Sequence, residues 1–182
     1  MTDNEAEIME KGSFQIGQLY GRRFIIISLI YFIIGTTWMG PIGTILPGPS
    51  GVAGNVYDTA HWHVVFVGFL AFFILGSLYY TAPRLGGKDM YSKRLASIHF
   101  WGSNVLFPMA VVLFTWIAFA FENVLNSPTF SVSSMPSSLL LTYFTVLIIM
   151  FVGIGLQGVM AYNVFMTLRT LLPRQGEHAV TR

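Results

Sequence analysis

Four long apolar stretches constrain the fold of this chain more than any other feature of its sequence. They cover approximately residues 24–46, 61–82, 98–121 and 139–168. About 20 consecutive apolar residues are enough for a helix to cross the hydrocarbon core of a bilayer. Charged residues make up only 10% of the chain, whereas a soluble domain is about one-quarter charged. The sequence therefore predicts an all-α integral membrane bundle of four transmembrane helices, forming one domain over residues 1–182.

The distribution of cations predicts how this bundle is oriented. All ten Lys and Arg residues lie in the N-terminal segment, the loop between the second and third spans, or the C-terminal segment. The loops 47–60 and 122–138 contain none. Because cytoplasmic loops carry the excess of Lys and Arg, we expect both termini in the cytoplasm of a prokaryotic cell, with the bundle in its plasma membrane. Residues 1–11 are polar and acidic, unlike a signal peptide, so the first span is expected to be an uncleaved anchor.

His61 and His63 lie at the outer mouth of the second span, in a chain with four histidines and no cysteine. Residues i and i+2 of an α-helix are about 200° apart and point to opposite faces. One metal ion cannot be held by both side chains, but two separate sites can. Neutral imidazole is a strong ligand for haem iron. Asp58 could hold the second ring nitrogen of His61, or could cap the helix. The alternative is that both histidines are plain interfacial residues.

Other polar and small residues inside the spans have simpler interpretations. His99, at the start of the third span, is expected to be a structural interfacial histidine. A G-x-G-x-x-G pattern lies in the middle of the fourth span, where a nucleotide-binding loop is excluded. Small residues in such a span favour close helix packing. We expect this of Gly153, Gly155 and Gly158. In the second span, Gly68 and Gly76, with Ser77, can form a small face of the same kind, which a flat macrocycle could also use.

Residues 58–108 resemble the tenth and eleventh helices of the catalytic subunit of the haem-copper oxygen reductases, a superfamily that includes the bacterial nitric oxide reductases. The resemblance rests on Asp58-Thr59, Ala60-His61-Trp62-His63, Tyr79-Tyr80 and Pro83, which follows His61 by 83 − 61 = 22 residues. It continues through Met90-Tyr91-Ser92, Ile98-His99-Phe100-Trp101, Asn104 and Phe107-Pro108. The first and fourth spans are similar to the ninth and twelfth family helices in position and hydropathy.

The resemblance implies different roles for the two histidines. His61 would ligate the high-spin haem of the oxygen-reducing site, and His63 would ligate the low-spin haem that receives electrons. The haem would be of type b or a. In the family, the copper ligands and the second ligand of the low-spin haem come from earlier helices. We therefore expect no copper ligand set, and no complete catalytic site, on this chain alone. Glu122-Asn123-Val124 stands where the family has an Arg-Arg pair.

The sequence thus predicts a haem-binding membrane subunit of a respiratory terminal oxidase-like complex, equivalent to the last third of the catalytic subunit. It would complete a split cytochrome c or quinol oxidase, or carry haem b between subunits. The remaining ligands would come from other membrane subunits or from a second copy of the chain. The formal charge of +2 gives no reason to expect nucleic acid as a partner. The alternative function is a structural subunit that has lost its cofactors.

Overall fold

The computed structural model describes residues 14–38, 45, 48–131, 133 and 135–169. These residues form helices and no β-strand; the helices are α1 (Gln15–Thr37), α2 (Gly51–Gly86), α3 (Lys93–Ala120), the short α4 (Glu122–Leu125) and α5 (Ser137–Leu168). Four of them are long and apolar enough to cross a membrane. The predicted all-α membrane bundle is therefore confirmed. The terminal segments 1–13 and 170–182, on which the predicted orientation partly rests, lie outside the described residues.

The second helix changes its winding directly after the histidine pair. It is α-helical over Gly51–His63, π-helical over Val64–Ala71 and α-helical again over Phe72–Gly86. Single π-helical turns are frequent at functional sites. Both histidines lie in the α-helical part, so the angle of about 200° between their side chains applies to them.

The helices begin earlier than the apolar stretches do. Helix α1 starts nine residues before position 24 (24 − 15 = 9), and α2 starts ten residues before His61 (61 − 51 = 10). The start of α2 is capped from the chain beyond α3: Glu122 Oε1 accepts from Ser50 N at 3.0 Å and Asn126 Oδ1 accepts from Ala53 N at 3.3 Å. Asp58 therefore lies inside the helix and does not cap it.

Helices α1 and α2 pack through glycines. A Cβ atom on Gly21 would lie 2.9 Å from the carbonyl oxygen of Gly76, and one on Gly76 would lie 2.9 Å from the carbonyl oxygen of Gly21. Gly68 approaches Tyr31 and Phe107 in the same way. Small residues allow the backbones of membrane helices to come this close. The close packing predicted for Gly68 and Gly76 is confirmed: α1 covers Gly76, and side chains of α1 and α3 cover Gly68.

The glycines of the fourth span do not pack as predicted. A Cβ atom on Gly153, Gly155 or Gly158 would meet no other described atom within 4 Å. The prediction of close packing is therefore wrong for these positions among the residues that the structure describes. Helix α5 is instead attached through polar side chains: Asn163 Oδ1 accepts from Ser92 N at 2.9 Å, and its Nδ2 donates to Ser92 O at 3.0 Å.

Candidate haem-ligand site

His61 points toward α1 and is almost enclosed. The residue is 8% exposed, and its Nε2 lies 3.0 Å from the carbonyl oxygen of Gly35. Because a carbonyl oxygen only accepts, Nε2 carries the proton and Nδ1 keeps the free lone pair. Nδ1 is buried and has no hydrogen-bond partner among the described residues. Trp38 packs beside the ring, with 6.4 Å between ring centroids, and its indole nitrogen is also buried with no hydrogen-bond partner in the described part of the chain.

His63 points to the other side of α2, as the helical geometry predicts. The Nδ1 atom lies 2.7 Å from the carbonyl oxygen of Thr59, one turn earlier, and therefore donates its proton there. The ring stacks on Phe114 of α3, with centroids 5.6 Å apart and planes 28° apart. The Nε2 lone pair has no hydrogen-bond partner among the residues that the structure describes. A metal-binding imidazole in proteins has this form, with one nitrogen fixed by a hydrogen bond and the other available.

His63 lines a groove of about 550 Å³ between α2, α3 and α5. The walls are mostly apolar, as in small-molecule and cofactor sites. Gly153 belongs to the wall on α5, and the space above its backbone is open. The polar side chains along the groove are His63, Ser103 and Gln157. The groove therefore places the His63 imidazole beside a mostly apolar cavity within the membrane-spanning part of the chain.

His99 lies away from this free nitrogen and has its own partners. It is fully buried; Nδ1 lies 3.1 Å from the Tyr79 hydroxyl, and Nε2 lies 3.3 Å from Gln157 Oε1. These contacts are consistent with the structural role expected for His99. The ring lies in the core of the helix bundle, however, and not at the membrane–water interface. The sequence analysis did not identify Gln157 as a candidate residue. It could have done so, because Gln157 carries an amide inside an apolar span, where polar side chains need hydrogen-bond partners.

Asp58 is half-buried, and its carboxylate forms no hydrogen bond with another described residue. The two imidazoles are held by the backbone carbonyls of Gly35 and Thr59 instead. Within the described ranges, no group of three or more His, Cys, Asp or Glu residues is close enough to hold a metal ion. An imidazole iron ligand on this chain would thus act singly, with the rest of the coordination supplied from elsewhere.

The family model described as Cytochrome C and Quinol oxidase polypeptide I matches residues 8–137, which are 130 of the 182 residues. The chain belongs to this family. The match includes the histidine pair and the helices that position it, α1, α2 and α3. The resemblance of residues 58–108 to an oxidase subunit is therefore confirmed, and the chain is an oxidase polypeptide I-like membrane protein.

Two curated relatives show the extent of the similarity. The heme-copper oxidase subunit I+III of Aeropyrum pernix is 35% identical over 77 residues, covering 42% of this chain and 9% of that protein. The cytochrome c oxidase polypeptide 1 of Halobacterium salinarum is 35% identical over 80 residues, covering 42% of this chain and 13% of that protein. The chain therefore matches only a small part of each relative's length. One relative is named as an oxidase subunit and the other as an oxidase polypeptide.

Proposed function

We propose that this chain is a haem-binding membrane subunit of a respiratory terminal oxidase, equivalent to the last helices of oxidase polypeptide I. The observation that carries the proposal is His63, whose Nδ1 is fixed by the Thr59 carbonyl while Nε2 is free beside the groove. Gly153 leaves room for a flat macrocycle against α5, and Phe114 supports the imidazole ring. The family membership supports the same function.

In this proposal His63 Nε2 holds the iron of a low-spin haem of type b or a. The bound haem supplies electron transfer. The Thr59 carbonyl holds the imidazole in one tautomer and one orientation, which raises its basicity as a ligand. The apolar walls of the groove exclude water from the macrocycle and keep its surroundings at low dielectric, which tunes the redox potential of a haem.

His61 is proposed as the ligand of a second, high-spin haem, on the opposite side of α2. Its fit is poorer, because Nε2 is engaged by Gly35 and Nδ1 is enclosed. Ligation by His61 therefore requires the ring to turn away from α1 when the partner subunit or the haem is in place. Asp58, three residues earlier, is proposed to orient the turned ring.

The remaining ligands are proposed to come from other membrane subunits or from a second copy of this chain. A haem-copper centre needs further imidazoles, and His99 is already hydrogen-bonded through both ring nitrogens. We therefore expect the isolated chain, loaded with haem and copper, to show no oxygen reduction. Oxygen reduction by the isolated chain would contradict this part of the proposal.

Both termini are proposed to lie in the cytoplasm. Arg84, Lys88, Lys93 and Arg94 lie at or near the junction of α2 and α3, and the opposite ends of these helices carry no Lys or Arg. Such a charge asymmetry sets the orientation of membrane proteins. His61 and His63 then lie in the outer half of a prokaryotic plasma membrane.

The decisive experiment is an absorbance spectrum of the native complex, purified through this chain, for the wild type and for His63→Ala. We expect His63→Ala to remove a six-coordinate low-spin haem signal and His61→Ala to leave that signal largely intact. Gly153→Leu should also remove it, because the new side chain fills the groove. Gly155→Leu is the matched control, since its position is equally open but lies outside the groove lining.

The alternative function, a structural subunit without cofactors, predicts a different result. In that case the wild-type complex would lack a low-spin haem that depends on this chain. An unchanged haem spectrum in a correctly assembled double variant of His61 and His63 would end the haem proposal. Equal effects of Gly153→Leu and Gly155→Leu would show that the groove does not hold the macrocycle.

A further inference from the structure

Arg23 is an exposed cation on α1, beside the junction of α1 with α3. It lies eight residues after the start of α1 (23 − 15 = 8), which is about 12 Å along the helix axis. The apolar stretch of the first span begins at the next residue, position 24. We therefore expect the guanidinium group at the boundary between the head-group layer and the hydrocarbon core.

Two buried aromatic rings hold the Arg23 guanidinium in place. Its Cζ lies 5.6 Å from the ring centroid of Tyr20 and 5.8 Å from that of Phe100. Both aromatic residues are 3% exposed and belong to the core of the bundle. A cation within about 6 Å of a ring centroid is attracted by the ring. The guanidinium N–H groups remain available, and their fork matches the oxygens of a phosphate.

No carboxylate in the described part of the chain balances the charge of Arg23. The acidic residues in that part are Asp58, Asp89 and Glu122. Asp58 and Glu122 lie near the opposite ends of α2 and α3. Asp89 accepts from two backbone N–H groups at the start of α1. Arg23 therefore has aromatic partners within the described residues but no anionic one, and a cation at this depth attracts an anion.

The adjacent face of α3 adds a second cation. Lys93, the first residue of α3, precedes Phe100 by seven residues and lies on the same face of the helix (100 − 93 = 7). Its side chain is exposed. In the other direction, the exposed Ile30 follows Arg23 on α1 by seven residues, about 10 Å deeper in the membrane. Cations toward the water and apolar side chains toward the bilayer centre match a phospholipid.

We propose that the junction of α1 and α3 binds one anionic phospholipid, whose phosphate accepts hydrogen bonds from Arg23. Lys93 adds attraction for the net negative charge of the head group, and the acyl chains follow the face that carries Ile30. Basic pockets between membrane helices bind anionic head groups in this way. Neither Arg23 nor Lys93 lines the groove beside His63, so the lipid site does not depend on the haem proposal.

The test is native mass spectrometry of the full chain, purified in detergent and titrated with phosphatidylglycerol or with phosphatidylcholine. The wild type should bind one phosphatidylglycerol at least about fivefold more tightly than phosphatidylcholine, the factor that one cation at a membrane surface supplies. Arg23→Gln should weaken the binding of phosphatidylglycerol about tenfold, because it removes a hydrogen bond between charged groups. Lys93→Gln should weaken it about fivefold.

Arg22→Gln is the matched control. Arg22 is an exposed neighbour at nearly the same depth, and its side chain points about 100° away from that of Arg23. This variant removes an equal charge and should keep the affinity within about twofold of the wild type, because an exposed charge outside the site is screened. Lys93→Gln leaves the contacts of Arg23 with Tyr20 and Phe100 intact, so it remains informative if Arg23→Gln fails to fold.

Three results would overturn the lipid site. Equal affinities of the wild type for phosphatidylglycerol and phosphatidylcholine would show that the junction does not select an anionic lipid. Equal effects of Arg23→Gln and Arg22→Gln would show a general attraction by surface charge. In the native complex, loss of a subunit on Arg23→Gln with unchanged phosphatidylglycerol binding would show that Arg23 pairs with a carboxylate of a partner chain.

Discussion

Replacement of Asn163 by leucine tests how α5 is held against the rest of the bundle. The Asn163 side chain is fully buried and forms two hydrogen bonds with the backbone of Ser92, the residue that caps α3. Leucine has the same number of side-chain heavy atoms and can form neither. The Ser92 carbonyl keeps a second partner, because Ala96 N donates to it at 3.1 Å. The Ser92 N–H is left without an acceptor.

The expected loss of stability follows from the different fates of the two Ser92 backbone groups, the carbonyl that keeps a partner and the N–H that does not. An orphaned donor costs about 1 to 3 kcal/mol, and a lost hydrogen bond whose partner stays satisfied costs about 0.5 to 1.5 kcal/mol. The expected loss in free energy of unfolding is thus about 1.5 to 4.5 kcal/mol. This exceeds the average of about 0.6 kcal/mol for hydrogen bonds between membrane helices, because here a backbone group loses its acceptor.

The assay is equilibrium unfolding in mixed micelles, followed by circular dichroism. Asn104→Leu is the matched control, because among the described residues Asn104 Nδ2 donates to Phe100 O of its own helix alone, at 2.8 Å. That carbonyl lies within a helix, so the control should lose only about 0.5 to 1.5 kcal/mol, the cost of a hydrogen bond whose partner stays satisfied. Equal losses for the two variants, or a loss below about 1 kcal/mol for Asn163→Leu, would refute the reasoning.

Three further predictions concern the ends and faces of the helices. Asp89→Asn should lower the free energy of unfolding by about 1 kcal/mol and speed hydrogen exchange at the start of α1, since the carboxylate accepts from two backbone N–H groups there; unchanged exchange would contradict this. Gly76→Leu should destabilise the bundle by about 1 to 3 kcal/mol in the same unfolding assay, whereas Gly155→Leu should not, and similar losses would count against the glycine interface. With no native cysteine, an impermeant thiol reagent added to intact cells should label Ser127→Cys and not Lys88→Cys; the reverse pattern would invert the topology.

The sequence by itself determined the number of spanning helices and the opposite directions in which the His61 and His63 side chains point. A stretch of about 20 apolar residues has to become a helix in lipid, because every backbone polar group must be satisfied within the segment. Once that helix exists, its period sends His61 and His63 to opposite faces. The sequence also carried the family resemblance of residues 58–108, which the family match confirmed. These features are local, so no knowledge of the neighbouring helices was needed.

Only the tertiary structure decided what each face meets. In a membrane both the lipid-facing and the protein-facing sides of a helix are apolar, so hydropathy does not show which side is buried. Gly76 therefore packs tightly against α1 while Gly155 faces open space, although both are glycines in apolar spans. For the same reason, the sequence could not show that His61 is enclosed by Gly35 or that Gln157 shares a groove with His63. Such contacts join residues far apart in the chain, and only the packing of the helices brings them together.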